Sequence, residues 1–222
     1  MNDVVFGTRR QGKSTLSLAL GLERNRRVVI FDPNGQFTVV RSVRIEDLPQ
    51  WLTESEQQLQ EHPSSFCVVR VGPFDTEYVE QAFDQFSEVL FQVPDLSVIV
   101  DEAHMLQGVN YIDPNLDRWN RRSPASVLVV ATTHRIVDAH PDSRYHADNV
   151  FFFFTDDELE LRTISKKYGP EVAEQVKRLE LHQVLHFWRE LGGFRRWSVW
   201  TKGDEWYIDL ENQNTVVQNA AQ

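Results

Sequence analysis

Residues 7–14 read GTRRQGKS, preceded by Val4-Val5-Phe6 and followed by Thr15-Leu16-Ser17-Leu18-Ala19-Leu20. The octet fits G-x-x-x-x-G-K-S/T, a phosphate-binding loop, and its setting fits as well, with an apolar run for a buried strand before it and a helical run after it. Each part has a physical task. Gly7 and Gly12 let the backbone curl without Cβ clashes, so that the N–H groups of Thr8, Arg9, Arg10, Gln11, Gly12, Lys13, Ser14 and Thr15 turn toward phosphate oxygens. The helix start adds a partial positive charge. Lys13 is positioned for the β- and γ-phosphates of ATP, and the Ser14 hydroxyl for Mg²⁺. Arg9 and Arg10 stand at the loop apex. The alternative, an ordinary glycine turn, explains neither the lysine nor the strand and helix on either side.

A second stretch, Leu96-Ser97-Val98-Ile99-Val100-Asp101-Glu102, is an apolar run ending in two carboxylates. Alone it is weak evidence, because many strands end in acids. Downstream of a phosphate loop it predicts Asp101 as a second Mg²⁺ ligand and Glu102 as the base for an attacking water. A third run, Val127-Leu128-Val129-Val130-Ala131, ends in Thr132-Thr133-His134-Arg135. A strand tip beside the phosphate loop reaches the γ-phosphate, so Thr133 and His134 are candidate sensors of an intact triphosphate. The bland reading of each is a turn residue after the strand. The polar third strand also predicts that it lies between the loop strand and the acidic strand, the layout of NTPases that use a glutamate base.

Apolar runs alternate with helix-like stretches along most of the chain. Val28–Phe31 closes at the turn signal Asp32-Pro33-Asn34-Gly35. Residues 46–62 look helical, Phe66–Val71 is a strand, and residues 75–92 place Tyr78, Ala82, Phe83, Phe86, Val89 and Leu90 at helical spacing. Val150–Phe154, with four consecutive phenylalanines, suits a strand buried on both faces. Residues 156–181 read as helix, broken near Gly169-Pro170. The expected fold is α/β: a three-layer P-loop NTPase sandwich of the ASCE, RecA-like kind, with a mainly parallel central sheet. Val184–Trp188 reads as a late strand. Residues 196–208 read as a small C-terminal β-hairpin turning at Thr201-Lys202-Gly203-Asp204, with Trp197, Trp200 and Trp206 as its packing residues. The expected division is a core over 1–190, a hairpin appendage over 191–210 and a loose polar tail over 211–222.

At 222 residues the chain is long enough for one well-buried core. Its net charge of −10 argues against a general nucleic-acid coat but leaves room for a local ring of arginines. The single cysteine, Cys67, excludes an internal disulfide. No run of 18 apolar residues is present, so no transmembrane segment is expected, and the N-terminus carries no signal-peptide pattern. A cytoplasmic setting is the expectation. His134, His140 and His146 are spaced by six with no close pair, and the spacing assigns no metal beyond Mg²⁺.

The motifs GTRRQGKS, FDPNGQF, LSVIVDEAH and ATTHR, with ADNVFFFFTDDELELRTISKKYG further on, resemble the FtsK–HerA superfamily of DNA-pumping ATPases. The resemblance covers roughly residues 1–190. It departs at the sensor, where that family usually has glutamine and this chain has His134 beside Thr133. A bare motor core of this size is similar to the genome-packaging ATPases of membrane-containing icosahedral viruses. The resemblance implies a homo-oligomeric ring, with a hexamer favoured, that moves double-stranded DNA and docks on capsid vertex proteins in host cytoplasm or on a virion. It also implies an arginine donated across each subunit interface; Arg121, Arg122 and Arg135 are the leading candidates, with Arg118 and Arg144 behind them. For each arginine alone a solvated surface position is the plainer reading. A motor for conjugation or DNA-end processing would share the same ATP chemistry, and a slow nucleotide switch would not need Glu102.

Overall fold

The computed structural model describes residues 1–8, 10–190, 193–202, 205–210 and 213–217. In chain order the elements are β1 (Asn2–Phe6), α1 (Lys13–Arg24), β2 (Arg27–Phe31), β3 (Ser42–Val43), α2 (Leu48–Glu61), β4 (Cys67–Val71), α3 (Val79–Leu90) and β5 (Ser97–Val100). A two-residue ribbon, β6 (Gln107–Gly108) with β7 (Tyr111–Ile112), precedes α4 (Pro114–Arg122), β8 (Leu128–Thr133), α5 (Pro141–His146) and β9 (Asn149–Phe153). The chain continues through α6 (Glu158–Tyr168), α7 (Pro170–Lys177), β10 (Gln183–Trp188), β11 (Gly193–Lys202), β12 (Glu205–Leu210) and β13 (Gln213–Val217).

One sheet runs β13-β12-β11-β10-β9-β1-β8-β5-β2-β4-β3. From β9 to β3 every pairing is parallel, and from β9 to β13 every pairing is antiparallel. The expected α/β sandwich with a C-terminal hairpin is therefore the fold, and β8 does separate β1 from β5. The turn of the hairpin at Gly203-Asp204 and the side chains of Trp200 and Trp206 lie outside the described residues. Residues 213–217, expected to be part of a loose tail, instead extend the hairpin as a further strand.

Side-chain alternation divides the core. Val5, Val28, Ile30, Ile99, Leu128, Val130, Phe151 and Phe153 face α1. Val29, Phe31, Val69, Val71, Val98, Val100, Val129 and Ala131 face the opposite layer, where Phe83 and Phe86 of α3 and Leu116 and Trp119 of α4 cover them. On that side Val4, Phe6, Val150 and Phe152 meet Ile164 of α6 and Val172 and Val176 of α7. The phenylalanine run of β9 is thus buried on both faces, as its composition predicted. Burying such side chains contributes about 1.5–3 kcal/mol each relative to exposure, which is what holds the layers together.

Helix starts follow local chemistry. Asp113 caps α4 by accepting from the N–H groups of Asn115 at 2.8 Å and Leu116 at 3.1 Å, with Pro114 at the first helical position. Asp157 caps α6 in the same way. Gly169, at φ 105°, separates α6 from α7 in a conformation that other residues rarely adopt. In contrast to α4 and α6, α1 is preceded by Gly12 at φ 108° and no side chain caps it. Its first N–H groups are left for another acceptor.

Candidate nucleotide site

The parallel register sets the site. Phe6 pairs with Thr133, Val100 with Ala131, and Phe31 with Val100, so β1, β8, β5 and β2 end at one edge of the sheet. The residues that follow those ends are Gly7, His134, Asp101 and Asp32. Residues distant in sequence meet because parallel strands with helical crossovers put all their C-terminal tips together.

The loop after β1 is pinned on both sides. The Gly7 N–H donates to the Thr133 carbonyl at 3.2 Å. Gln11 accepts from the Thr8 N–H at 2.8 Å through Oε1 and donates to the Phe154 carbonyl at 2.9 Å through Nε2. Lys13 is buried and its Nζ donates to the Thr8 carbonyl at 3.1 Å, which lays the ammonium across the loop mouth. A Cβ at Gly7 would stand 2.7 Å from Gln11 Oε1 and 2.8 Å from Phe153 Cβ, so the position requires glycine for space alone. His182, on the turn before β10, places Nδ1 3.1 Å from the Gln11 carbonyl and braces the loop from outside. Arg9 lies outside the described residues, and Arg10 adopts φ 65°, part of the curl.

Asp101 is 1 % exposed. Its Oδ1 accepts from the Thr132 hydroxyl at 2.5 Å, while its Oδ2 is buried without a hydrogen-bond partner among the described residues. Burial pushes its carboxyl up to about 7; the Thr132 hydrogen bond and the charge of Lys13 pull the other way. An unpaired buried oxygen costs roughly 1–3 kcal/mol, more on a charged group, and a hard divalent cation is the partner that recovers it. The chemistry of this unpaired carboxylate oxygen therefore fits Mg²⁺ at Asp101. The phosphate loop follows β1 and Asp101 follows β5, and both strands end at the same edge of the sheet.

Glu102 is equally buried and sits at φ 52°, ψ 42°, a left-handed conformation for a residue with a Cβ. Such strain costs about 1–3 kcal/mol and persists where surroundings over-determine it. The surroundings here are specific. The Glu102 N–H donates to Thr132 Oγ1 at 3.2 Å. Gln36 Nε2 donates to Glu102 Oε1 at 2.7 Å. Oε2 lies 2.7 Å from His134 Nε2 and 3.2 Å from His104 Nδ1. Burial pushes the His104 imidazolium down, against the opposing pull of Glu102. Gln36 is itself placed by Asp32, whose carboxylate accepts from the Gln36 N–H at 2.8 Å and the Phe37 N–H at 2.9 Å. Gly35, at φ 67°, makes that turn possible. The Asp32–Phe37 stretch is thus a bracket that hands an amide to Glu102.

The sequence-predicted residues separate into those the fold assembles and those it does not. Lys13, Asp101, Glu102 and His134 lie at the same strand tips as the described loop residues Gly7, Thr8 and Arg10 to Thr15. Thr133 stands at the same tip with a buried, unpartnered hydroxyl, but its neighbour Thr132 is the threonine that holds Asp101 and Glu102. Arg135 is turned to α6, pairing with Asp157 at 2.9 Å and Glu160 at 2.7 Å. Arg121 pairs with Asp117 and Asp142, each at 2.6 Å. Arg121 and Arg122 end α4 next to the start of β1, where Asn2 bonds Asn120 and Ser123; that is the end of the sheet opposite the phosphate loop. Arg118 stacks on the Phe91 ring at 3.5 Å and Arg144 is buried against the Ile136 carbonyl. Within one chain, neither Arg121 nor Arg122 reaches the site. Sequence reasoning missed Gln36, His104 and His182. Of these, Gln36 was within reach, because it follows a strand-ending turn in the same sheet as the acidic pair.

No protein-family model and no curated protein matches the sequence. Solved structures do match in fold. The genome packaging NTPase B204 from Sulfolobus turreted icosahedral virus 2, in complex with ATP-gammaS, superimposes with a TM-score of 0.67 at 20% identity over 87% of this chain and 95% of that one. Its complex with sulfate gives 0.64 at 22% identity over 87% and 94%. B204, the DNA-packaging ATPase from Sulfolobus Turreted Icosahedral Virus, gives 0.66 at 21% identity over 88% and 95%. The chain therefore has the fold of a P-loop ATPase and resembles, along nearly its whole length, a viral genome-packaging NTPase.

Proposed function

We propose that this chain hydrolyses ATP and serves as one subunit of a ring that drives double-stranded DNA into a viral capsid. The observation that carries the reading is the convergence of Lys13, Asp101 and a strained, bracketed Glu102 at the tips of adjacent parallel strands. The likeness in fold to B204, whose own description is that of a DNA-packaging ATPase, supplies the direction of the proposal.

The residues divide the chemistry as follows. The Gly7 and Thr8 N–H groups are engaged by Thr133 and Gln11, so the uncapped start of α1, with the N–H groups from Gly12 to Thr15, grips the phosphates, and Lys13 draws charge from the β- and γ-oxygens. Ser14 and Asp101 would hold Mg²⁺, which would supply neutralisation of the phosphate charge. Glu102 Oε2 takes a proton from water as its oxygen attacks the γ-phosphorus; the bond to the leaving ADP oxygen breaks, giving ADP and phosphate. Gln36 fixes the other carboxylate oxygen so that Oε2 keeps its aim. His134, against Glu102, is the sensor, and Thr133, whose hydroxyl has no partner among the described residues, is the second polar group at that tip. A ring, with six subunits as the favoured number, brings the Arg121–Arg122 end of one subunit toward the site of the next and lines a pore for DNA. Capsid vertex proteins are the docking partners, with the work done in host cytoplasm or at the virion vertex. No helix among the described residues is long and apolar enough to cross a membrane.

The test is the ATPase rate of the full chain with and without double-stranded DNA, run beside a solution mass measurement. The proposal expects DNA to raise the rate and the mass to match a closed ring. A monomer whose hydrolysis ignores DNA contradicts the motor reading.

A further inference from the structure

Histidine spacing along the chain gives no sign of a metal site, yet the fold brings two histidines onto one carboxylate. Glu102, His104 and His134 each offer a ligand atom, and the three atoms lie within 4.8 Å of one another. We propose that these three side chains form a site for a borderline divalent cation of the Zn²⁺ type, and that its occupancy switches hydrolysis off by capturing Glu102 Oε2. The switching half rests on Glu102 being the base; the binding half does not.

Four features point to a ligand. First, the spacing is close to coordination: the separations of Oε2 from the two imidazole nitrogens, 2.7 and 3.2 Å, both fall short of the edge of about 3.4 Å that tetrahedral bonds near 2.1 Å produce, so a small outward shift of the side chains would admit an ion. Second, Glu102 is 1 % exposed, and its buried Oε2 faces the two imidazole nitrogens in contacts that lack hydrogen-bond geometry, which leaves both Oε2 and His104 Nδ1 without a hydrogen bond among the described residues. Third, the rings of His104 and His134 meet edge to face with centroids 5.0 Å apart, so their nitrogens converge without the rings stacking. Fourth, Gln36 holds Oε1 at 2.7 Å, leaving Oε2 as the carboxylate atom that coordinates. Outer partners of this kind orient a ligand and are part of a metal site.

The local backbone explains the convergence. The left-handed turn at Glu102 leads into a single 3₁₀ turn, Ala103–Met105, which returns His104 to the side of Glu102. His134 arrives from the adjacent strand end. Two imidazoles and one carboxylate, with a fourth position open to water through side chains that are 34% and 23% exposed, make the His₂Glu donor set that suits zinc. Mg²⁺ prefers oxygen ligands, so Asp101 and Ser14 do not compete for the same ion.

The experiment titrates metal-free full-length protein with Zn²⁺ against a chromogenic chelator, without nucleotide, and repeats it with Co²⁺ to read visible absorption. One equivalent should bind, the Co²⁺ form should show the intense bands of a low-coordinate site, and affinity should fall about tenfold or more in His104→Gln and in His134→Gln. Thermal melts of both variants establish that they fold. ATPase is then measured in excess Mg²⁺ with one equivalent of Zn²⁺, where the rate should fall at least about tenfold and return on chelation. Zn²⁺ affinity unchanged in both folded variants overturns the site. Binding lost in the variants but without inhibition of a wild-type ATPase overturns the switch. Binding that depends on the histidines in a protein without any ATPase upholds the site and refutes the ATPase reading instead.

Discussion

At the scale of single residues, what matters is how Glu102 is held. Its carboxylate has an amide on one oxygen and two imidazoles on the other, and its backbone is bent left-handed to present it. Removing the amide should loosen the aim without touching the phosphate loop. Gln36→Ala is expected to lower kcat by about ten- to a hundredfold with nucleotide affinity unchanged, as read by steady-state kinetics beside calorimetric binding. The other informative residue is Asp3, buried in β1 and accepting from Asn149 Nδ2 at 2.7 Å. Burial pushes its carboxyl up to about 7, from an ordinary 3.8. Between those values the folded chain keeps the proton that the unfolded chain has released, so stability falls as pH rises through this window. Asp3→Asn, which has no proton to lose, should be more stable than wild type at pH 8, by up to about 4 kcal/mol, with the gain vanishing near pH 4. Denaturant midpoints across pH measure this. Lys13, Asp101 and Glu102 were legible because their motifs are local in sequence. The contact of Gln36 with Glu102 was harder to read, because it joins positions 66 apart and depends on which strand tips are neighbours, and the place of His104 depends on the left-handed turn at Glu102.

At the scale of elements, the phosphate loop shows how packing enforces a motif. Gly7 is required by Phe153 of β9 and by the folded-back Gln11 side chain, so the loop and the phenylalanine strand constrain each other. Gly7→Ala should displace the loop and abolish ATP binding while leaving the circular dichroism spectrum and the sheet intact; fluorescent-nucleotide titration checks the first and thermal melting the second. The alternation of apolar strands with helices was readable because each strand is short, apolar and bounded by turn residues such as Asp32–Gly35. The antiparallel end of the sheet was readable in part. Its hairpin carries strong strand formers, whereas residues 213–217 are polar enough that composition alone pointed to a tail, and only pairing with β12 makes them a strand.

At the scale of the whole molecule, the site has its base and bracket, but Arg121, Arg122 and Arg135 of the same chain do not point into it. Arg135 is tied to α6, and Arg121 and Arg122 stand at the opposite end of the sheet. If one of the α4 arginines works on the neighbouring subunit, activity should be recoverable by mixing. Lys13→Ala and Arg122→Ala, each inactive alone, should regain hydrolysis when combined, because the first supplies the arginine and the second an intact phosphate loop. The mixed ATPase rate, measured against each parent, decides this. The sequence shows which arginines exist and which carboxylates lie near them; it does not show which surfaces of two copies meet.

The central claim is that Glu102 is the base in a site that binds ATP through Lys13 and the phosphate loop. Its most direct test is single-turnover hydrolysis by Glu102→Gln beside wild type, with ATP affinity measured on both. The account predicts tight binding by both proteins and a rate lower by about 10²–10⁴-fold in the variant. Hydrolysis by Glu102→Gln at the wild-type rate would contradict it.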